Sequence, residues 1–534
     1  MAQHHLDGLR AALQQPAFYS HAVDSVEIRE THISIVAMAG AFVYKIKKPL
    51  DLGFLDFTTL EKRRYYCEQE VALNRRLSRD VYLNVCGISN DDGYRLEGDG
   101  PAVEYAVKMR RLPDAAAMDR LLAAGRVTPG QVIALARQLA RFYDQAYQDE
   151  AVAAVGARET VRTNCEENFT QIEPHAGALV DRRTLDIVRT ATRAFLHRRR
   201  SLFDRRMEAG FIRDGHGDLR CDHVYFDRDA IQIIDCIEFN DRFRYGDVAN
   251  DLAFLAMDLD ARGFCPMADA FLASYAAATE DSDIYTLIDF YKCYRAMVRL
   301  KVNCLRWDQV TADQRPALER QIQCYQRLAY SYALRFTRPV LWVVCGMPAT
   351  GKSTIATALG RRLDAPVIRT DAVRKELFRS KALASDGASF EAGIYSAHAT
   401  RLTYGQMLLQ AQGYLERRRS VILDATFDQR DRRAEAVRLA RDTDAGWIFV
   451  ECVCAEATVQ ARLAAREKKP GISDARLHHF EQFKARFEAL DEMPPARRLR
   501  VDTEQPIANN LRDILAAAEH NGHICACRDD EQQC

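Results

Sequence analysis

The sequence has no apolar run long enough to cross a bilayer. About 20 consecutive apolar residues are needed for that, and the longest candidates, such as VLWVVCG from Val340, have only the length of a strand. It also has no net charge: Lys plus Arg and Asp plus Glu stand at 75 each, which removes any global pull toward nucleic acid or an anionic membrane. The fifteen cysteines are odd in number and show no paired spacing. MAQHHLDGLRAAL has no basic-then-apolar leader layout, so the expectation is a cytoplasmic chain with reduced, mostly buried thiols. There is no internal repeat and no low-complexity linker. The basic run HRRRSLFDRR from His197 reads as a solvated helix face. In the tail HNGHICACRDDEQQC, His520, His523, Cys525, Cys527 and Cys534 match no common zinc spacing, and a frayed terminus is expected.

What is present is ample core material, 48% hydrophobic over 534 residues, enough for roughly two to four domains. Residues 1–112 read as a small strand-rich lobe. HISIVAM and AFVYKIKK alternate as antiparallel strands do, TTLEKRRYYCEQEVALNRRLSRD reads as one amphipathic helix capped by Thr58 or Thr59, and AVEYAVKMRRL returns to strand. Residues 113–336 are mostly helical, interrupted by HGDLRCDHVYF and IQIIDCIEF, and close with a long helix. Over residues 339–534, PVLWVVC, APVIR, SVILDAT and WIFVECV alternate with helical segments, the pattern of a parallel sheet with crossover helices.

GMPATGKST follows the first of those strands and opens a helix. Gly346 to Ser353 fit G-x-x-x-x-G-K-[ST] in full, and the strand-then-helix context makes the match specific. Its glycines let backbone N–H groups turn onto phosphate at a helix N-terminus. The nucleotide-contacting set is then Gly346, Ala349, Thr350, Gly351, Lys352, Ser353 and Thr354. Lys352 is expected to reach the β- and γ-phosphates and Ser353 to sit on Mg²⁺, with Asp424 at the end of SVILD as a second metal carboxylate. Asp371 and Arg374 in TDAVRKEL have a D-x-x-R spacing, and Arg462 and Arg466 lie four apart, on one face of a helix. These features resemble the P-loop small-molecule and polynucleotide kinases, including gluconate kinases and zeta toxins. The resemblance implies Asp371 as acceptor of the hydroxyl proton, Arg374 as holder of the acceptor or transferred phosphate, and Arg462 and Arg466 as lid arginines.

HGDLRCDHVYF, followed by Asp235 in IIDCIEF, resembles the catalytic region of the aminoglycoside phosphotransferase family. The resemblance implies a protein-kinase-like fold with Asp218 as catalytic base, His216 shaping the loop, and Asp235 as metal ligand. Glu238 falls where the family often has another acid, and Asp251 braces the loop. Lys45 or Lys47 in VYKIKKP supplies the phosphate lysine, with Lys45 preferred. Glu70 is its helix partner, with Glu68 the alternative. His223 stands where the family carries a metal-binding Asn, and an imidazole nitrogen is a poor ligand for Mg²⁺. KIKKPLDLGFLDFTTLEKRR is similar to a bacterial family that joins this domain to a P-loop domain, and in that group a His after HGDLR is usual.

The expected fold is thus two-part: an α+β kinase-like bilobal domain, then an α/β P-loop domain. The expected activity is ATP- and Mg²⁺-dependent phosphotransfer to a small hydroxylated acceptor, without nucleic acid or membrane. The alternative is a catalytic P-loop domain beside a kinase-like module that senses a ligand.

Overall fold

The computed structural model describes residues 2–53, 55–91, 93–228, 230–281, 283–363, 365–378, 396–467 and 480–524. The chain divides into two compact units. One takes in Met1–Arg182, Arg200–Thr279 and Tyr291–Ala329, the other Arg183–Arg199, Glu280–Phe290 and Tyr330–Cys534. Three stretches whose pattern suggests the helical lobe therefore cluster with the P-loop unit. Aromatic packing ties them together there: Phe195 stacks on Phe290 at 4.7 Å and meets Phe336 edge-on at 5.1 Å.

The first unit opens on an antiparallel sheet of β1 (Val26–Glu30), β2 (Ser34–Ala39), β3 (Phe42–Lys47), β4 (Tyr82–Asn90), β5 (Tyr94–Leu96) and β6 (Ala102–Arg110), in the order β1-β2-β3-β6-β4-β5. Alternation along β3 divides its side chains between two faces. Tyr44 and Ile46 pack on one face with Leu6, Leu9 and Leu13 of the N-terminal helix Ala2–Leu13, while Lys45 and Lys47 face the other way. That other face carries Val107 and Met109, covered by Cys67 and Val71 of the helix Leu60–Asn74. Thr59 caps this helix, accepting from the Lys62 N–H. The helix stops at Asn74 instead of continuing toward Asp80. The Asn74 carbonyl takes both the Ser78 N–H and hydroxyl, its side chain bonds Glu70 and Cys236, and Arg76 is drawn to the carbonyls of Asp214 and Gly215. Side-chain and loop partners here outcompete the helix ladder.

The helical part carries two short antiparallel ribbons that hold the loop regions: β7 (Ile212–Asp214) with β10 (Tyr245–Asp247), and β8 (Val224–Asp227) with β9 (Ala230–Ile233). IRD and YGD have no strand pattern of their own. An ion pair fixes β10: Arg206 donates to both Asp247 oxygens at 2.6 and 2.7 Å, with both side chains 1% exposed. The basic run from His197 is therefore not wholly a solvated face, since its last arginine is in the core. Loss of one partner from a buried pair costs about 3–5 kcal/mol, whereas exposed pairs contribute at most about 1 kcal/mol. Denaturant unfolding of Asp247→Ala should show the larger loss, and Asp7→Ala, which removes the exposed partner of Arg10, the smaller one.

The second unit is a parallel sheet of β11 (Val340–Cys345), β12 (Val367–Arg369), β13 (Val421–Asp424), β14 (Gly446–Val453) and β15 (Arg498–Asp502), in the order β12-β13-β11-β14-β15. Alternate residues of β11 enter opposite cores. Leu341, Val343 and Cys345 pack with Met407 and Leu415 of the helix Ala397–Glu416, while Trp342 and Val344 pack with Ile355 and Leu359 of the helix Lys352–Leu363. Burial on both faces accounts for the unbroken apolar runs. Among the described residues no helix is long and apolar enough to cross a membrane, and the described cysteines are free and mostly buried.

Candidate active sites

In the second unit, the strand order reverses around β11, and the loop that follows it lies at that switch point. Gly346 has φ +132°, and a Cβ there would lie 2.4 Å from the Cys452 carbonyl oxygen. Ala349 and Gly351 also have positive φ, +64° and +90°. These left-handed residues curl the loop over the first turn of the helix Lys352–Leu363. Thr350 Oγ1 and Lys352 Nζ both donate to the Met347 carbonyl, at 2.8 and 2.6 Å. Burial lowers the Lys352 pKa. Ser353 is half-buried in the first turn, and Thr354 is exposed.

Asp424 ends β13 beside Val344 of β11, and its Oδ2 accepts from Arg369 Nε at 3.1 Å. Asp371 lies in the first turn of the helix Thr370–Leu377. Burial raises its carboxyl pKa against the opposing pull of Arg374, whose Nη1 is 3.6 Å away. Arg462 contacts the loop itself, with Nη1 3.3 Å from the Ala349 carbonyl and 3.3 Å from Thr503 Oγ1. Thr503 in turn donates to the Thr350 carbonyl at 2.6 Å. Arg466 falls in the same helix, Glu456–Glu467, and its side chain is outside the described residues, as are those of His520 and His523; Cys525, Cys527 and Cys534 are outside them entirely. The sequence motifs have no place for Arg369 or Thr503. Arg369 carries no motif signal. Thr503 is brought to the loop by β15, whose RLRVD is too short and polar to read as a strand.

In the first unit, Lys45 Nζ lies 2.8 Å from Glu70 Oε1 and 2.6 Å from Asp235 Oδ1. Lys47 Nζ lies 2.7 Å from Glu70 Oε2 and also meets Glu238. Glu70 thus bridges both lysines, while Glu68 pairs on the surface with Arg64. Lys45 is 13% exposed and Lys47 1%, so Lys45 is the one that reaches the open centre. Asp235 is held in the left-handed region at φ +65°, with its N–H donated to the Tyr82 hydroxyl. Burial works to raise the Asp235 pKa, but Lys45 above all, and Arg220, outweigh it and hold the group well below the usual carboxylate range.

Asp251 builds the loop before Asp218. It accepts from the N–H groups of His216 and Gly217 at 2.6 and 2.9 Å, and from Tyr143 and Arg295. The His216 ring donates from Nε2 to the Ile234 carbonyl and accepts the Asp218 N–H at Nδ1. That arrangement requires neutral imidazole, and burial pushes its pKa down to about 4. Asp218 is ionised too: burial would raise it, but neighbouring charges led by Arg220, with Arg299, outweigh that. Asp218, His223 and Asp235 each offer a ligand atom, all within 4.8 Å of one another. The donor set, two carboxylates and an imidazole, fits a divalent cation. Arg220 is not among the sequence candidates because an Arg two residues after an Asp in a loop has no distinguishing signal. It donates to Asp218 and lies 3.1 Å from Asp222.

The second unit thus carries a Walker-type phosphate loop on a parallel sheet, the mark of an ATP-dependent phosphotransferase, and the first unit a kinase-like loop beneath a lysine–glutamate pair. An AAA domain model matches residues 341–490. The chain is 34% identical over 454 residues to Uncharacterized protein Rv2004c of Mycobacterium tuberculosis (strain ATCC 25618 / H37Rv), covering 84% of this chain and 88% of that one. It therefore belongs to the same family as that mycobacterial protein. Among solved structures it is similar to a choline/ethanolamine kinase family protein from Mesorhizobium loti, with TM-score 0.38, 13% identity, and coverage of 62% of this chain and 98% of that chain. It is also similar to a gluconokinase from Sinorhizobium meliloti 1021, with TM-score 0.25, 18% identity, and coverage of 37% and 99%.

The glycine geometry generates a paired test. Gly346→Ala should abolish binding of a fluorescent ATP analogue to the second unit, because the left-handed φ and the Cys452 carbonyl both oppose a Cβ. Gly413→Ala, in a helix with open space around it, should leave binding intact.

Proposed function

We propose that both units transfer the γ-phosphate of ATP, each to a small hydroxylated acceptor. One observation carries the two-site reading: in the first unit Lys45, Glu70, Asp235, Asp218 and His223 converge, with both aspartates held ionised.

In the second unit Lys352 and the loop N–H groups bind the β- and γ-phosphates. Ser353 and, through water, Asp424 would hold Mg²⁺, which neutralises charge between those phosphates. Asp371 takes the proton from the acceptor hydroxyl as its oxygen bonds the γ-phosphorus and the bridging oxygen leaves with ADP. Arg374 steadies the acceptor. Arg462, bonded to the Ala349 carbonyl, supports the nucleotide by holding the loop's shape, and Arg466 completes the same helix face. In the first unit Lys45, oriented by Glu70, binds the α- and β-phosphates, Asp218 is the base, and Asp235 with His223 would hold a divalent cation.

Burial raises the Asp371 pKa, so its active, deprotonated form is lost at a higher pH than an ordinary Asp allows. The acid limb of the Lys352-dependent rate should therefore lie above about 4, and Asp371→Asn should lower that rate about 10²–10⁴-fold with the limb abolished. Lys352→Ala should remove one component of ATP consumption and Asp218→Asn the other. Full consumption in the double variant would sink both assignments.

A second reading makes the first unit a ligand-sensing module. The observation favouring it is Arg220, which spans Asp218, Asp222 and His223 and so competes for the acids a cation needs. Phosphotransfer that survives Lys352→Ala and depends on Asp218 rejects it.

A further inference from the structure

His223 is held as one tautomer. Its Nδ1 lies 2.9 Å from the Asp218 carbonyl, which can only accept, so Nδ1 carries the hydrogen. Its Nε2 lies 2.9 Å from Arg220 Nη2, and an arginine can only donate, so Nε2 carries the lone pair. Two independent contacts thus give the same assignment. A ring N–H fixed on a backbone carbonyl, with the other nitrogen turned toward carboxylates, is the arrangement of a metal-binding histidine. Nε2 lies 3.6 Å from Asp235 Oδ2, while Oδ1 of the same carboxylate is taken by Lys45. At a metal–ligand distance of about 2.1 Å, adjacent ligands of an octahedron are about 3.0 Å apart. A contraction of roughly half an ångström therefore completes that edge.

Resting on the reading of Asp218 and Asp235 as the phosphotransfer centre, we propose that His223 Nε2 is a direct ligand and that this centre prefers a divalent first-row transition ion to Mg²⁺. Mg²⁺ is a hard ion that prefers oxygen donors, whereas imidazole nitrogen binds transition ions better. One nitrogen and two carboxylates leave coordination positions for phosphate oxygens and water. Arg220 shares Nε2 and Asp218 with the ion, so its guanidinium must withdraw as the ion enters, and it acts as a competitor for the site.

The test uses the full chain carrying Ser353→Ala, which weakens metal binding at the phosphate loop, without nucleotide, and with Mn²⁺ as the probe. Electron paramagnetic resonance should show one Mn²⁺ bound per chain, displaced by Mg²⁺ only at more than about tenfold higher concentration. Pulsed spectra should show coupling to a ¹⁴N nucleus, replaced by a ¹⁵N coupling when the protein is labelled with ¹⁵N-histidine, a readout that needs no variant to fold. His223→Asn should remove the coupling and lower the Mn²⁺ over Mg²⁺ preference about tenfold, and Arg220→Gln should tighten Mn²⁺. Absence of histidine nitrogen coupling, or an unchanged preference in His223→Asn, overturns the proposal. None of these readouts needs turnover. Nitrogen coupling without Asp218-dependent transfer would leave the metal assignment standing and remove the catalytic one, and Asp218-dependent transfer without the coupling would do the reverse.

Discussion

The first unit depends on a single buried carboxylate. Glu70 receives Lys45 on one oxygen and Lys47 on the other, and each lysine passes its charge on, Lys45 to Asp235 and Lys47 to Glu238. The chain of charges therefore joins β3, the helix Leu60–Asn74 and the loop after β9. Its origin is the two-residue period of a strand, which puts both lysines on one face. Desolvating so many charges recovers little net stability. What the network provides is position: Lys45 cannot retract without stranding one oxygen of Glu70, and Asp235 is held in a left-handed conformation that a non-glycine residue adopts at a cost of about 1–3 kcal/mol.

The phosphate loop of the second unit is built by other means. Its shape comes from left-handed residues within one short loop, and the N-terminus of the helix that follows brings positive partial charge to it. Side chains from other elements only brace it: Thr503 and Arg462 hold the Thr350 and Ala349 carbonyls, and Arg369 holds Asp424. One site is therefore assembled from contacts distant in sequence and the other from contiguous chain.

That contrast explains what could be read from the amino acids alone. GMPATGKST is legible because its geometry is local. The strands of the parallel sheet are legible because both faces are buried and the runs are apolar. The acids of the first site are legible only as an order, Asp218 then Asp235 then Asp251. Nothing in that order says that Lys45 reaches Asp235 while Lys47 turns to Glu238, because the choice depends on where the helix Leu60–Asn74, packed on β4 and β6, places Glu70. Arg220, Arg369 and Thr503 are not legible, since an arginine or threonine outside a motif gives the same signal whether it braces a loop or faces water. The end of the helix at Asn74 is similar: its causes include partners far along the chain, in the Asp214–Cys236 region. The grouping of residues 183–199, 280–290 and 330–338 with one another rests on aromatic contacts between segments that share no pattern.

The two carboxylates proposed as bases sit in opposite fields. Burial raises the Asp371 pKa, whereas Arg220 and Arg299 help depress that of Asp218. A raised pKa makes Asp371 the stronger proton acceptor, suited to a step in which the hydroxyl proton leaves early. Asp218, a weak base fixed by neighbouring cations, is suited to orienting the hydroxyl, with the proton leaving late. Phosphoryl transfer through a loose transition state needs little nucleophilic push and much alignment, so a depressed pKa at Asp218 is compatible with catalysis. The same cations that depress it also screen its repulsion of an incoming phosphate. A metal ion that displaces Arg220 would take over that screening, so the identity of the ion at His223 and the basicity of Asp218 are coupled through one guanidinium.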